Sequence, residues 1–230
     1  MASLIIEDDK IVRLPTPDFR TDRHAKHKYF DNEFRKWHEG WEFLSGLHYF
    51  YLSTGHLINP KGRKIFPQYR DWDEIIINNF LKAMENGYDY GVIKRRRYGF
   101  SSFFGGCVPC YFSLVEKGCT TVLTSADDFR LTDLLNNKLY PYLNGLKEEG
   151  FIPDDYYSNN DFIRLVSRKK TDKTEHGSVI YPVATSKDDK SAAKLEGLAG
   201  RYGLLDEWFL HPRADQVHLS FRSSMLEGIT

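Results

Sequence analysis

The amino-acid sequence predicts an α/β fold, with a mostly parallel central sheet and helices on both of its faces. Short apolar runs rich in β-branched residues alternate along the chain with longer segments whose apolar residues recur at helical spacing. Capping residues mark some of the boundaries, as at 125–128, where Ser-Ala-Asp-Asp precedes a helical pattern. With 230 residues, the chain can bury the core of one large α/β domain or of two small ones.

The predicted elements follow from these local patterns in chain order. Apolar residues at helical intervals predict one or two amphipathic helices over 31–52, where an aromatic stripe is expected to lie in the core. A turn at 59–62 and a helix over 74–86 follow. Strands over 91–93 and 120–124 are joined by a helix over 102–117 in a predicted right-handed βαβ unit. The remaining elements are a capped helix from 125, a hairpin of strands over 162–166 and 178–183, a strand over 202–205 and a helix over 212–227. We divide the chain into a polar, basic N-terminal arm over 1–30 and one domain over 31–230.

The charge balance limits the classes of function. Lysine plus arginine and aspartate plus glutamate both number 32, so the formal net charge is zero. Since a dedicated DNA-binding module is usually basic overall, we expect any DNA contact to be local or supplied by another part. No run approaches the ~20 apolar residues of a membrane span, and the acidic N-terminus does not resemble a signal peptide. These features predict a cytosolic protein.

The cysteine pattern has two readings. Cys107 and Cys110 have the Cys-x-x-Cys spacing that can indicate zinc or redox chemistry, and the third cysteine is Cys119. No second Cys-x-x-Cys accompanies the pair, and the segment falls inside a predicted helix where small apolar residues pack. Buried thiols are therefore the favoured interpretation.

The stretch from Tyr90 to Ser102 has the layout of a phosphate-binding loop. The apolar run over 91–93 ends in four consecutive cations, and a glycine and two serines then open an aromatic segment. In a P-loop, backbone N–H groups and a helix N-terminus hold phosphates while a hydroxyl binds Mg²⁺. The usual pattern G-x-x-x-x-G-K-[ST] is broken at two positions, because Lys94 replaces the first Gly and Phe100 replaces the Lys.

The residues present could still bind phosphate. Lys94 could reach the phosphates from the strand side of the loop, and Arg97 offers a planar fork suited to bidentate contact. Gly99 supplies backbone freedom, and Ser101 stands where a Mg²⁺-binding hydroxyl belongs. The predicted nucleotide-binding loop comprises Lys94, Arg95, Arg96, Arg97, Tyr98, Gly99, Phe100, Ser101 and Ser102. Taken alone, the cation run is also typical of a solvated surface cluster or a nucleic-acid patch.

A pair of carboxylates about a hundred residues later complements this loop. A short apolar strand over 202–205 ends in Asp206 and Glu207. In P-loop NTPases such a strand ends in an Asp that holds Mg²⁺, and a following Glu can activate the attacking water. Because consecutive strand residues point to opposite faces, the two carboxylates are expected to have different roles. The alternative is a helix N-terminus with acidic residues in its first turn.

These motifs together resemble a known family. Lys94-x-x-Arg97-x-Gly99-aromatic-Ser101, followed by a hydrophobic-Asp-Glu segment, is similar to the ATPase domain of the large terminase subunit of tailed bacteriophages. The likeness extends from about residue 34 onward and includes the segment 194–201. It implies a P-loop NTPase fold, a RecA-like three-layer sandwich whose loop Lys precedes the Gly. It also implies that the chain is an N-terminal portion, without the coupling motif and the nuclease domain.

The resemblance implies ATP and Mg²⁺ as cofactors and gives each motif residue a role. Lys94 would neutralise the β- and γ-phosphates, and Arg97 would contact the γ-phosphate or act as an arginine finger in cis. Ser101 and Asp206 would hold Mg²⁺, and Glu207 would activate water as the catalytic base. Candidates for the adenine contact are Gln68, Tyr69 and Arg70, for which a loop packed under the next helix is an equal alternative.

The implied partners are those of a packaging motor. They are double-stranded viral DNA, the portal protein of the procapsid, the small terminase subunit and further copies of the chain in a ring, all in the host cytoplasm. Two other functions stay open from the residues. One is another P-loop nucleic-acid motor of the helicase type, and the other is a non-enzymatic module whose cations bind nucleic acid or capsid.

Overall fold

The computed structural model describes residues 3–8, 10–14, 17, 23–59, 61–93, 99–116, 118–152, 157–158, 163–165, 177–185, 195, 198, 200–211 and 214–226. The chain forms two compact units, Met1–Tyr98 and Gly99–Thr230. This division differs from the predicted arm over 1–30 and domain over 31–230. The predicted nucleotide-binding loop ends in the second unit, whereas its cationic half belongs to the first.

The first unit combines two small hairpins with three helices. Its elements are β1 (Leu4–Glu7), β2 (Lys10–Arg13), α1 (Arg23–Glu39), α2 (Gly46–Thr54), β3 (Leu57–Ile58), β4 (Lys64–Ile65) and α3 (Asp71–Glu85). β1 pairs antiparallel with β2, and β3 with β4. The segment predicted as an extended arm therefore contains a hairpin and the start of a helix. Its β-branched runs, Ile5-Ile6 and Ile11-Val12, pair across a turn at Asp8, whose φ is 48°.

The core of the first unit is aromatic, as the helical spacing predicted. Trp37 is fully buried, and its ring meets Phe34 and Phe50 edge-on at centroid distances of 4.6 and 4.8 Å. Every residue of α2 from Leu47 to Thr54 is buried. The aromatic stripe therefore forms part of the core of this unit.

A buried charge connects β1, α1 and α2. Glu33 is fully buried on α1, and its carboxylate accepts hydrogen bonds from Lys36 Nζ at 2.8 Å and Tyr49 Oη at 2.7 Å. Ser3 Oγ, just before β1, donates to the same carboxylate at 3.0 Å. Burial and the adjacent Glu33 charge raise the pKa of Tyr49, so its phenol remains a donor. The network ties the N-terminal hairpin to the two helices.

Among its described residues, the second unit contains three long helices and a five-stranded sheet. α4 is continuous over 100–115, with a π-helical turn at Phe103–Cys107, and α5 is continuous over 128–148, with a π-helical turn at Leu135–Leu139. The remaining elements are β5 (Thr120–Ser125), β6 (Tyr157–Ser158), β7 (Ile163–Leu165), β8 (Ser178–Ala184), β9 (Tyr202–Leu205), a 3₁₀ turn (Trp208–Leu210) and α6 (Ala214–Leu226).

The sheet has the strand order β6-β7-β8-β5-β9. β5 pairs in parallel with both β8 and β9, and Val122 lies opposite Tyr181 and Gly203 in this register. β7 runs antiparallel to β8, and β6 antiparallel to β7, which confirms the predicted pairing of the segments 162–166 and 178–183. The parallel centre confirms the α/β class of the fold.

Helices cover both faces of this parallel centre. On one face α6 contributes Val217 and Phe221 to a cluster with Val122 and Val183. On the other face α4 lies against β9, where Tyr202 Oη donates to the Phe104 carbonyl at 2.8 Å. These contacts confirm the layered arrangement that the sequence predicted.

Close approach at α4 depends on two glycines in its π-helical turn. A Cβ on Gly106 would lie 2.6 Å from the Lys138 carbonyl oxygen of α5, and one on Gly105 would meet Leu134 and Leu204. Side chains here would push α4 away from α5 and β9. Cys107 and Cys110 are fully buried on the same helix, and burial raises the pKa of both thiols. They are packed thiols, as expected.

One predicted element is wrong. The run over 91–93 lies outside any helix or strand, and the Ile93 side chain is 94% exposed. A β-branched run becomes a strand only where a neighbouring strand accepts its backbone hydrogen bonds, and within the described ranges no strand pairs with it. The predicted βαβ unit therefore has a helix and a second strand, α4 and β5, without a first strand among the described residues. The other predicted strands lie within one residue of their observed ends.

Candidate functional site

The candidate site lies at the carboxyl edge of the parallel strands in the second unit. β5, β8 and β9 end at Ser125, Ala184 and Leu205, and the backbone ladder continues one residue further on β8 and β9. Thr185 N–H donates to the Ser125 carbonyl at 2.9 Å, and Asp206 N–H donates to the Thr124 carbonyl at 3.1 Å. Ligands of open α/β sheets bind at this edge.

The N-terminus of α4 is directed toward the same edge. α4 leads directly into β5, and its last turn lies at the opposite edge, where Ser178 Oγ at the start of β8 donates to the Glu116 carbonyl at 3.1 Å. The helix therefore runs antiparallel to the strands, and the N–H groups of its first turn point toward their carboxyl ends. This polarity suits an anion.

The described part of the predicted loop has the expected backbone. Gly99 adopts φ 83° as the cap of α4, a left-handed conformation that favours glycine, and the space where a Cβ would stand is open. Ser101 and Ser102 are half-buried in the first turn of α4. Phe100 is buried and stacks on Phe104 at 6.3 Å, so this position serves the core. The predicted residues Lys94, Arg95, Arg96, Arg97 and Tyr98 lie outside the described residues.

Asp206 follows β9 on the face that carries α4. Side chains alternate along the strand, and Tyr202 and Leu204 face α4, so Asp206 belongs to the same set. Burial, followed by the charge of Asp206, raises the pKa of Tyr202, which agrees with this placement. Asp206 therefore lies on the face of the sheet that α4 covers. Ser101 lies in the first turn of that helix.

Glu207 leaves the line of the strand. Its backbone is left-handed, with φ 52° and ψ 46°, which is uncommon for a residue other than Gly, Asn or Asp. Its carboxylate is half-exposed and pairs with Arg130 Nε at 3.1 Å. Arg130 also pairs with Asp127, the residue that caps α5. The two adjacent carboxylates thus occupy different positions, as the sequence predicted.

Two further residues of this edge were not predicted as site residues. His211 is buried after the 3₁₀ turn, and its Nδ1 lies 2.6 Å from Thr185 Oγ1. Its Nε2 lies 2.7 Å from the Asp206 carbonyl oxygen. No local spacing marks His211, because its side-chain partner Thr185 lies on another segment, 26 residues earlier.

The residues proposed for adenine belong to the first unit. Gln68 and Arg70 are exposed, and the Arg70 guanidinium lies 5.3 Å from the Trp72 ring centroid. Tyr69 is half-buried, donates from Oη to Glu74 at 2.6 Å, and stacks on His48 at 5.5 Å. One face of the Tyr69 ring is therefore covered by His48. The adenine contact stays a prediction.

His48 makes the free energy of unfolding of the first unit depend on pH in the acid range. It is fully buried, and neither ring nitrogen has a hydrogen-bond partner among the described residues. Burial lowers the pKa of His48 from 6.5 to about 4, against the opposing charge of Glu74. Because the unfolded chain takes up the proton first, the contribution of neutral His48 is complete above pH 6.5 and is lost as the pH falls toward 4.

We therefore expect His48→Gln to remove about 3 kcal/mol of the pH dependence of unfolding between pH 7 and pH 4. Asp73 acts in the opposite sense, since burial raises its pKa to about 6. Comparing urea unfolding of variant and wild type at each pH isolates the contribution of His48 to the free energy of unfolding. The exposed His38→Gln serves as the control for the same change of residue type outside the core. Parallel profiles for wild type and His48→Gln would contradict the assignment.

No protein-family model matches the chain, and no curated protein matches it. Within the described ranges, none of the helices has the length and apolar character needed to cross a membrane.

Proposed function

We propose that this chain is an ATP-hydrolysing motor domain of the kind that packages viral DNA. The observation that carries the proposal is the convergence at one edge of a parallel sheet: the glycine-capped N-terminus of α4 and the Asp206–Glu207 turn are directed there. A helix N-terminus suits phosphate, and carboxylates at a neighbouring strand end suit its metal ion.

The described residues fit Mg²⁺ and ATP. Ser101 supplies a hydroxyl oxygen and Asp206 a carboxylate oxygen, which are hard ligands of the type that Mg²⁺ prefers. Apart from the chain neighbours of Gly99, no atom of the described residues lies within 4 Å of the position that a Cβ would take there, which leaves room for a phosphate against the backbone. When bound, Mg²⁺ neutralises the charge that develops on the transferred phosphoryl group. In the proposed site, Ser101 and Asp206 orient that ion.

Glu207 is the proposed base. It would accept a proton from the attacking water at a carboxylate oxygen, and its half-exposed position leaves that oxygen open to solvent. Arg130 Nε lies 3.1 Å from the Glu207 carboxylate and would hold it in place at this edge. Lys94 is proposed to neutralise the phosphates, and Arg97 to contact the γ-phosphate.

The motor role and its partners are part of the same proposal. The proposed substrate of translocation is double-stranded viral DNA, moved into a procapsid through its portal by a ring of copies acting with a small terminase subunit. The net charge of zero favours local DNA contacts over a broad basic surface.

The adjacent serines provide the test of nucleotide binding. We expect the wild-type chain to bind Mg·ATP in isothermal titration, and Ser101→Ala to weaken binding in the presence of Mg²⁺ by about tenfold, as expected for loss of one metal ligand. Ser102→Ala tests the neighbouring hydroxyl of the same predicted loop and should have a smaller effect, because Ser101 stands where the Mg²⁺-binding hydroxyl belongs.

The same titration separates the alternatives. Lys94→Ala should abolish nucleotide binding if this lysine holds the phosphates. A wild-type chain that binds DNA with steep salt dependence and does not bind Mg·ATP would overturn the ATPase proposal in favour of a non-enzymatic module. Equal losses in Ser101→Ala and Ser102→Ala would show that Ser101 is not the metal ligand.

A further inference from the structure

We infer that His211 is a positioning residue, which holds the Asp206–Glu207 turn against the end of β8 in the geometry that hydrolysis requires. This inference rests on the proposed ATPase function. Its structural basis is independent of nucleotide: the buried imidazole bridges the Thr185 hydroxyl and the Asp206 carbonyl, at 2.6 and 2.7 Å. The turn over 206–211 is thereby joined to the end of β8, which lies 26 residues earlier in the chain.

The hydrogen-bonding groups assign the role of each ring nitrogen. A carbonyl oxygen only accepts, so Nε2 carries the proton and donates to the Asp206 carbonyl. Nδ1 of the neutral ring then accepts the single hydroxyl proton of Thr185 at 2.6 Å, a shorter contact than the 3.2 Å from that hydroxyl to the Ser125 carbonyl. Both polar atoms of the buried ring are satisfied in this tautomer.

The backbone makes this side chain the closing contact of a short turn. Leu210 N–H donates to the Glu207 carbonyl at 2.8 Å, and His211 N–H donates to the Trp208 carbonyl at 3.1 Å. The chain therefore reverses within the 3₁₀ turn, and the His211 ring returns to the carbonyl of Asp206. The turn over 206–211 is fastened to β5 by the Asp206 amide and to β8 through His211 and Thr185.

The position of Glu207 depends on this fastening. Its left-handed backbone lies between two anchored points, Asp206 and the 3₁₀ turn, and its own carboxylate is half-exposed. Release of the Asp206 carbonyl would let the peptide between Asp206 and Glu207 rotate and carry the base away from its place. A displacement of about 1 Å in a catalytic group can lower the rate on the order of 10²-fold.

Two substitutions at His211 separate its two contacts. A glutamine places its side-chain nitrogen at the distance of Nε2 and can donate to the Asp206 carbonyl. An asparagine reaches only the position of Nδ1, so it can meet the Thr185 hydroxyl and not Asp206. We expect His211→Gln to retain most of the ATP turnover, and His211→Asn to lower kcat about ten- to hundredfold with KM for ATP unchanged.

Amide hydrogen exchange of the segment 206–211 provides a readout that does not depend on activity. His211→Asn should accelerate exchange at the Asp206 and Leu210 amides, whereas His211→Gln should leave them protected. Thr185→Val tests the second contact, and Thr185→Ser retains the hydroxyl as its control. Thermal unfolding of each variant shows whether the second unit remains folded.

The outcomes distinguish the two proposals. Hydrolysis by the wild type, with slow turnover and fast local exchange only in His211→Asn, supports the positioning role. Intact hydrolysis and equal exchange in both His211 variants overturn it and leave the ATPase proposal standing. Absence of hydrolysis in the wild type overturns the ATPase proposal and, with it, the catalytic role of His211.

Discussion

A chain carrying Glu207→Gln is expected to bind Mg·ATP with wild-type affinity and to hydrolyse it about 10²- to 10⁴-fold more slowly. The amide matches the carboxylate in shape and cannot accept the proton of the attacking water. The left-handed backbone and the following 3₁₀ turn do not depend on the charge, so the local fold should persist. Steady-state phosphate release and isothermal titration with ATP measure the two quantities separately.

An acidic residue at the same edge provides the control for this prediction. Asp128 lies exposed in the first turn of α5, beside the capping residue Asp127. Asp128→Asn removes the same charge as Glu207→Gln. We expect turnover within about twofold of wild type, because water and salt screen the exposed charge of Asp128. Normal hydrolysis by Glu207→Gln would exclude Glu207 as the base. Loss of ATP binding in that variant would instead assign Glu207 to the binding of substrate.

The second large effect concerns the stability of the first unit. Glu33→Ala is expected to lower its free energy of unfolding by about 3–5 kcal/mol. The substitution removes the carboxylate that accepts from Lys36, Tyr49 and Ser3, and it leaves the Lys36 ammonium in a mostly buried position without that counter-charge. Removal of one partner of a buried ion pair strongly destabilises the fold, because the other charge is left buried without compensation.

Tryptophan fluorescence during urea unfolding provides the measurement. Three of the four tryptophans, Trp37, Trp41 and Trp72, belong to the first unit, so the signal reports mainly on it. Glu39→Ala at the exposed end of α1 is the control, with an expected change within about 0.5 kcal/mol. An equal small effect in both variants would show that the Glu33 network does not stabilise the unit.

Local sequence patterns predicted most of the second unit. The strand over 178–183 is an apolar run with β-branched residues, and the strand over 202–205 is a short apolar run that ends at two carboxylates. Both were located within one residue. Asp127 caps α5 through its contact with the Arg130 amide at 2.8 Å, as the capping residues at 125–128 indicated. These features depend on residues close in sequence.

The features that were missed depend on contacts between distant segments. The run over 91–93 has strand-forming residues, but pairing decides whether such a run becomes a strand, and pairing is not a local property. Ser3 and Tyr49 meet Glu33 across 30 and 16 residues, and Thr185 meets His211 across 26. A single buried histidine or glutamate has no periodicity, so its partners become visible only in three dimensions.

Sequence patterns likewise predicted one part of the candidate site and missed another. The order of a glycine-serine turn before a helix and a carboxylate pair after a strand indicated one edge of the sheet, and the N-terminus of α4 and the end of β9 are both directed to that edge. The roles of Gly99, Ser101 and Asp206 there stay predictions. The ion pair of Glu207 with Arg130 was not foreseen. Arg130 is one of several cations on a helical pattern, and only the return of β9 beside β5 brings Glu207 to it.

The central place of β5 affects how the protein is made. Thr124 on β5 contacts the Leu204 carbonyl on β9, which is 80 residues later in the chain. At a synthesis rate of roughly 5–20 residues per second, β5 is complete about 4–16 s before β9 exists. During that interval its apolar side chains and open edges are exposed on the nascent chain, where they can pair with other chains. Successful production of this unit therefore depends on protection of β5 until the later strands leave the ribosome.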